Sequence, residues 1–532
     1  MLTSHFWTLL LTTLPATAAR TDTVPLYDNL GTHHFAISTK IPRAQQFFDQ
    51  GLRLTYGFNH GEAIRAFNEA ARLDPACAMC YWGTALAFGP HVNAGMDSAS
   101  SFAAYAAVKK AAALASRATA REQAYIRALA RRYSAAPPAD RGRLDSAYSR
   151  AMAEVVRRYP DDLDAATLYA ESLMDLRPWN YWKKNAEPYP GTRTLLVQLE
   201  RVLKKNPDHP GACHYFIHAV EAVAPERAVS CAERLAGLMP GVGHMVHMPG
   251  HIYIRIGRYE DAIASNVHAV HTDESYIASE SPSGVYPIAY YPHNYHFLSF
   301  AATMVGKSKQ AIDAARSLVQ KVPPEVARQV PPVEPLVPFL HLTLATFGKW
   351  DDVLGAPVPP AHLRYATGMV QYARGSAFAA KQQWPDAQKA LDTLTAVWKS
   401  TTAASDNKTV LGIAMHALIA EIAARQGKLD DAAMHYRVAM KLEDGLPYIE
   451  PPLWHYPIRH SLGKSLLEAG KAAEAEKLYR EDLKRFPGNG WSLHGLAASL
   501  RARGANVDAE RVERDLRKAW AGADVVLTAS RF

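Results

Sequence analysis

The chain has 532 residues, 48% hydrophobic and 21% charged, with a formal net charge of +8. That composition excludes wholesale disorder, and the length exceeds what one compact core serves, which leaves several domains or one array of repeats. The charge is dispersed over mixed-sign helical faces and is not gathered into a Lys/Arg stripe, so no nucleic-acid partner is expected.

Residues 1–19 run through an apolar stretch (Phe6, Trp7, Leu9, Leu10, Leu11, Leu14) to Pro15 and the small residues Ala16-Thr17-Ala18. This is the layout of a secretory signal cleaved near Ala18 or Ala19, although no Lys or Arg precedes the apolar run. The expectation is a periplasmic or secreted protein. No later run approaches the roughly 20 apolar residues of a membrane span.

A repeat first shows at Ala63-x3-Phe67-x2-Ala70-x4-Pro75, the second-helix and terminator spacing of a tetratricopeptide (TPR) unit. It returns at Gly257 with Ala262 and Ala269, Gly306 with Ala311 and Pro323, and Gly427 with Ala432, Tyr436 and Ala439. Further copies are Gly470 with Ala475, Tyr479 and Pro487, and Gly504 with Ala509. Small residues let helices approach, the aromatic fills the gap between hairpins, and Gly or Pro ends each helix. The fold class expected is all-α, a TPR-type helical-hairpin solenoid with Pro/Tyr-rich insertions. Its units fall into an N-terminal block (20–134), a central block with a histidine-rich groove (142–322) and a C-terminal block (339–532). The breaks at 134–141, 279–292, 322–338 and 446–457 read as loops or joints, some able to lid a groove.

Four cysteines suit an oxidising compartment. Cys77 and Cys80 form a C-x-x-C outside any thioredoxin-type context, and Tyr81 stands where haem attachment needs histidine. Cys213 and Cys231 belong to consecutive helices of one hairpin. Two structural disulfides are the default, with a redox or metal role for the C-x-x-C as the alternative.

Ten of the 22 histidines fall between His209 and His296. With each second-helix alanine as position 20, His244, His247 and His251 take positions 2, 5 and 9, on one helical face. His293 and His296 take positions 2 and 5 of the next unit. His214 and His218, with Glu221 one turn on, reach that face only if the turn at 223–225 holds one extra residue. Glu171 and Asp175 form an i, i+4 pair one unit earlier. Two imidazoles one turn apart can grip one ion, and without thiolates the set favours copper, with zinc or iron behind it. Solitary histidines such as His416, His435 and His494 read as packed or solvated.

The chain also resembles a bacterial group of exported or periplasmic TPR proteins of poorly defined function. The likeness rests on Phe58-Asn59-His60-Gly61-Glu62-Ala63, Met79-Cys80-Tyr81-Trp82-Gly83, residues 171–179, 214–221, 243–253 and 291–297, and Glu450-Pro451-Pro452. It implies the repeat fold and adds His60 to the residues of interest, but no settled reaction.

The function expected is therefore metal binding by His214, His218, His247, His251, His293 and His296, with His60, His244 and Tyr291 as possible additions. Glu171, Asp175 and Glu221 would serve as outer-sphere or general-base groups. Oxidative copper chemistry on an unknown small molecule or peptide is the leading reading. A zinc-type hydrolase with the same ligands, a groove that binds acidic peptide, and a non-catalytic scaffold that meets a protein partner through its groove stand beside it.

Overall fold

A computed structural model describes residues 24–532, so the signal-peptide reading of 1–19 lies outside the described residues. These residues form 26 α-helices with a few short helical turns between them, and no strand occurs among them. The architecture is that of TPR-type antiparallel helical hairpins. Examples are Pro42–Tyr56 with His60–Leu73, Asp406–Arg425 with Leu429–Glu443, and Gly490–Ala502 with Asn506–Ala519.

The repeat residues account for how the hairpins pack. Phe67 is fully buried, and a Cβ added to Gly51 or Gly83 would come within 2.7 or 2.3 Å of its ring. Tyr479 stands in the same relation to Gly463 and Gly495, where the corresponding distances are 2.4 and 2.2 Å. In both cases the glycines lie one on the preceding first helix and one on the following first helix, so an aromatic from each second helix presses on backbone alone. The turns repeat as well. Gly306, Gly427, Gly470 and Gly504 have φ between +71° and +79° and sit directly before the N-cap of a second helix. Glycine occupies that left-handed position without steric cost. In the first hairpin the same slot, directly before the N-cap Asn59, holds Phe58 at φ +56°.

The chain divides into two compact units. One runs to Ile252 and takes in Val267–Tyr291; the other comprises Tyr253–Asn266 and Pro292–Phe532. In the first unit Cys77 and Cys80 form a disulfide. Cys213 and Cys231, on Pro210–Val220 and Val229–Leu238, are buried thiols with their sulfurs 2.7 Å apart. The second unit has its own core, centred on Met369, Leu394, Leu418, Trp454 and Tyr479.

Two expected loops are helical. The helix Tyr259–Glu280 runs into the 279–292 stretch, where Tyr286–Tyr290 forms a further turn leading into Tyr291–Met304. The proline-rich stretch 322–338 folds as Pro324–Gln329 and the 3-10 turn Pro331–Leu336. Pro324 and Pro331 are tolerated there because each opens its helical turn, where its missing N–H has no intrahelical role. Residues 134–141 and 446–457 do stay outside helices. His416 and His435 are not solitary either, since their Nδ1 atoms lie 3.0 Å apart across one hairpin.

Candidate metal centre

His214 and His218 point from one face of Pro210–Val220, and His244 opens the short helix Gly243–His247. His214 Nε2 lies 3.1 Å from His218 Nε2 and 3.1 Å from His244 Nε2. All three residues are at most 3% exposed. The tautomer of His214 follows from what its other ring nitrogen meets. His214 Nδ1–H donates to the Tyr56 carbonyl at 2.6 Å, which leaves its Nε2 a bare lone pair. His218 Nδ1 stands 3.6 Å from Glu221 Oε1, beyond hydrogen-bond range, so its tautomer is not fixed from that side.

The bare His214 Nε2 accepts from a neighbouring Nε2–H in one tautomer, and with both neighbours in the other tautomer the three Nε2 lone pairs face a common point where a cation would sit. Burial first, and the neighbouring imidazoles second, hold His214, His218 and His244 well below the ordinary histidine range, so each is neutral at neutral pH, with one N–H and one lone pair. Tetrahedral metal–nitrogen bonds of 2.0–2.1 Å would separate neighbouring nitrogens by about 3.3 Å. The observed spacing is close to that edge length, and the donor set fits a transition metal.

A second imidazole pair adjoins the trio. Met248 and Pro249 end one short helix and begin another, and across this join His247 Nε2 faces His251 Nε2 at 2.9 Å. His251 Nδ1 meets Glu221 Oε2 at 2.9 Å. The buried Glu221 thus meets His251 through one oxygen, and its other oxygen stands 3.6 Å from His218 Nδ1, between the two groups. Such outer-sphere carboxylates fix the tautomer and raise the basicity of ligating histidines.

The expected open groove is instead a covered interior. Phe58 stacks on His218 (centroids 6.0 Å, planes 13° apart) and His244 (5.5 Å) and tilts against His214 (4.5 Å). Trp179 meets His218 edge-on at 4.8 Å, and Tyr290 packs on His244 at 4.6 Å. Phe58 and Trp179 both have positive φ, at +56° and +62°. For bulky side chains that is a strained backbone state, and such strain concentrates at functional sites.

The other residues named from sequence lie outside the trio. His60 lies against His91, with centroids 4.3 Å apart; burial chiefly, and Arg132, push it down to about 4. It is Phe58, two residues earlier, that touches the trio. Glu171 and Asp175 hydrogen-bond to each other and pair with the buried Arg132, which bonds Asp175 directly. Desolvation, then Glu171, raises Asp175 well above the carboxylate range, so the two acids hold a proton between them. Neither bonds to the histidine trio. His293 and His296 belong to the second unit; His296 meets Phe339 edge-on at 4.4 Å, and burial pushes it down to about 3. Tyr291 donates to Glu274 Oε1 at 3.0 Å, and it is Tyr290 that faces the trio.

Sequence reasoning left out Tyr56 and His91, gave Phe58 and Trp179 no role in the site, and had Tyr290 only as one of three insertion tyrosines, with Tyr286 and Tyr291, that could shape the pocket. Their contacts are long-range and leave no spacing to read, although an aromatic in a slot that later repeats give to glycine was a signal available at Phe58. Tyr56 also donates its hydroxyl to Asp164 at 2.7 Å, and that carboxylate takes His33 Nε2 at 2.9 Å. His209, which caps its helix through Nδ1, turns Nε2 toward Asp164 at 3.4 Å. This second cluster is a carboxylate surrounded by donors, a poorer metal site than the trio, and it anchors the residue whose carbonyl holds His214.

No family model matches the chain, and no curated protein matches it. Among solved structures it is similar to the human IFIT1 dimer with m7Gppp-AAAA, at 13% identity over 90% of this chain and 91% of that one, with a TM-score of 0.31. The APC/C hetero-tetramer Cut9–Hcn1 gives 12% identity over 90% and 76%, with a TM-score of 0.30. Yeast Tom70 gives 13% identity over 92% and 93%, with a TM-score of 0.28. What those proteins bind says nothing about this chain at that level of similarity.

Proposed function

We propose that this chain is an exported metal-binding repeat protein whose buried histidine trio holds a transition metal, copper by preference, for oxidative chemistry on a small substrate. The observation that carries the reading is the bare Nε2 of His214, set 3.1 Å from two other imidazole nitrogens with its Nδ1 committed to a backbone carbonyl. His214, His218 and His244 would be the ligands, and His247 with His251 a neighbouring donor pair. Copper is preferred because the set is imidazole only, and the nearest thiol in sequence, Cys213, faces Cys231. A copper ion bound there would supply one-electron redox capacity. The protein's own part is to fix the tautomers through Tyr56 and Glu221 and to exclude water with Phe58, Trp179 and Tyr290.

The hydrolytic zinc reading asks for a carboxylate beside the metal to take a proton from water. Glu221 is engaged with His251, and Glu171 and Asp175 with each other and Arg132. These engagements favour the oxidative reading or plain metal carriage.

Metal analysis of the purified full chain, before and after reconstitution, is the decisive experiment. Stoichiometric copper that is lost in His214→Ala and His244→Ala supports the proposal. Zinc in the same residues turns it toward hydrolysis, and no metal after reconstitution overturns both. Export is tested by N-terminal sequencing of protein recovered outside the cytoplasm, which should begin near Arg20.

A further inference from the structure

The insertion 446–457 plays no part in the histidine trio, yet it supplies much of a small cavity in the second unit. His455 and Tyr456 line it together with Thr346, His460, Trp491 and Arg531. The space is about that of one water-sized occupant.

Two of these side chains are incompletely satisfied. Arg531 is 5% exposed; its Nη1 donates to the Thr346 carbonyl at 3.0 Å and its guanidinium lies 4.1 Å from the centre of the Tyr456 ring. Its Nη2 has no hydrogen-bond partner, and no carboxylate among the described residues forms an ion pair with it. Glu421, an acid near enough to influence it, bonds to Arg425 at 3.0 Å and Ser376 at 3.1 Å. His455 is equally buried, and neither of its ring nitrogens has a partner. Burial and the Arg531 charge keep it neutral, with one N–H to give.

A buried guanidinium without an anion is costly, and so is a buried N–H without an acceptor. Both point to the same missing species: an acceptor that carries negative charge and is no larger than one atom. We propose that the cavity binds a single halide-class anion, chloride under ordinary conditions, held between Arg531 and His455. Water would satisfy the donors but leave the charge uncompensated. The anion would brace the last residues of the chain against the hairpins, where Arg531 holds Thr346 and Ser530 donates to the His460 carbonyl at 2.9 Å.

The test uses the full chain dialysed into gluconate buffer and titrated with chloride or bromide at constant ionic strength, followed by thermal unfolding. A saturable rise in Tm of several degrees is expected for the halides and none for further gluconate. Crystals soaked in bromide should show one anomalous peak beside Arg531 Nη2 and His455. Arg531→Gln should abolish the response. Should that variant fail to fold, His455→Leu should raise the half-saturating chloride concentration about tenfold. His244→Ala, which removes a trio ligand, should leave the halide response unchanged, so failure of the metal reading would not be mistaken for failure of this one. Equal Tm in chloride and gluconate overturns the proposal, as does electron density for water only, or bromide density without any halide-dependent Tm.

Discussion

At the scale of single residues, the centre depends on which ring nitrogen carries a proton. The Tyr56 carbonyl sets this for His214, and Glu221 Oε2 faces His251 Nδ1 at 2.9 Å. Replacing Glu221 with Gln keeps the shape but lets the amide present a donor to one imidazole. Metal affinity in Glu221→Gln should fall 10- to 100-fold in a chelator-competition titration. An unchanged affinity would remove the residue from the site. Burial also gives His341 a pH signature. His341 is buried and pushed down to about 4 by desolvation. Its folded-state pKa is depressed below the unfolded value, so between about pH 6.5 and 4 the unfolded chain takes up a proton that the folded chain does not. Stability should therefore decline as pH falls through that window, by roughly 3 kcal/mol from this residue at its lower end. Urea unfolding of the metal-free chain from pH 7 to pH 4.5 measures the decline. His341→Leu should flatten it by about one proton's worth of slope.

At the scale of the element, the hairpins are held by aromatic rings pressed onto glycine backbones. Gly83→Ala would drive a methyl into Phe67, whose ring lies 2.3 Å from the added Cβ. A loss of about 1–3 kcal/mol in urea is expected, with no change in metal content, because Gly83 touches none of the ligands. The first turn behaves differently from its copies. Phe58→Gly relieves the left-handed strain and restores the residue used by other turns, but it uncovers the trio. The net cost should be about 2–4 kcal/mol, less than for Phe58→Ala at the same site. Metal release, followed by stopped-flow chelation, should be faster. If release is unchanged, Phe58 is only a packing residue.

At the scale of the whole molecule, two compact units with separate cores predict unfolding that is not two-state. His214, His218 and His244 all belong to one unit, so metal should move one transition and leave the other in place. At a free concentration of 100 Kd the shift is about 2.7 kcal/mol. Calorimetry with and without copper checks this, and a uniform shift of the entire profile would contradict it.

How far the sequence reached depended on the range of the contacts involved. Helical hairpins, their glycine turns and the aromatic of each second helix were legible because they depend on residues three, four or a fixed repeat apart, and helix geometry enforces those spacings. The pairs His214/His218 and His247/His251 were legible for the same reason. His244 counted as a mere addition because spacing assigns a face and not a partner. It became the third member of the trio once the hairpins packed. Glu171 and Asp175 looked available for chemistry until the fold placed Arg132 beside them, and His60 gave way to Phe58 at the turn. Local periodicity thus determined the elements and which side chains share a face. Only the packing of one hairpin on the next decided which faces meet, which ring nitrogens converge and what covers them, because contacts between residues far apart in the chain are fixed by the closure of the array and not by any short spacing.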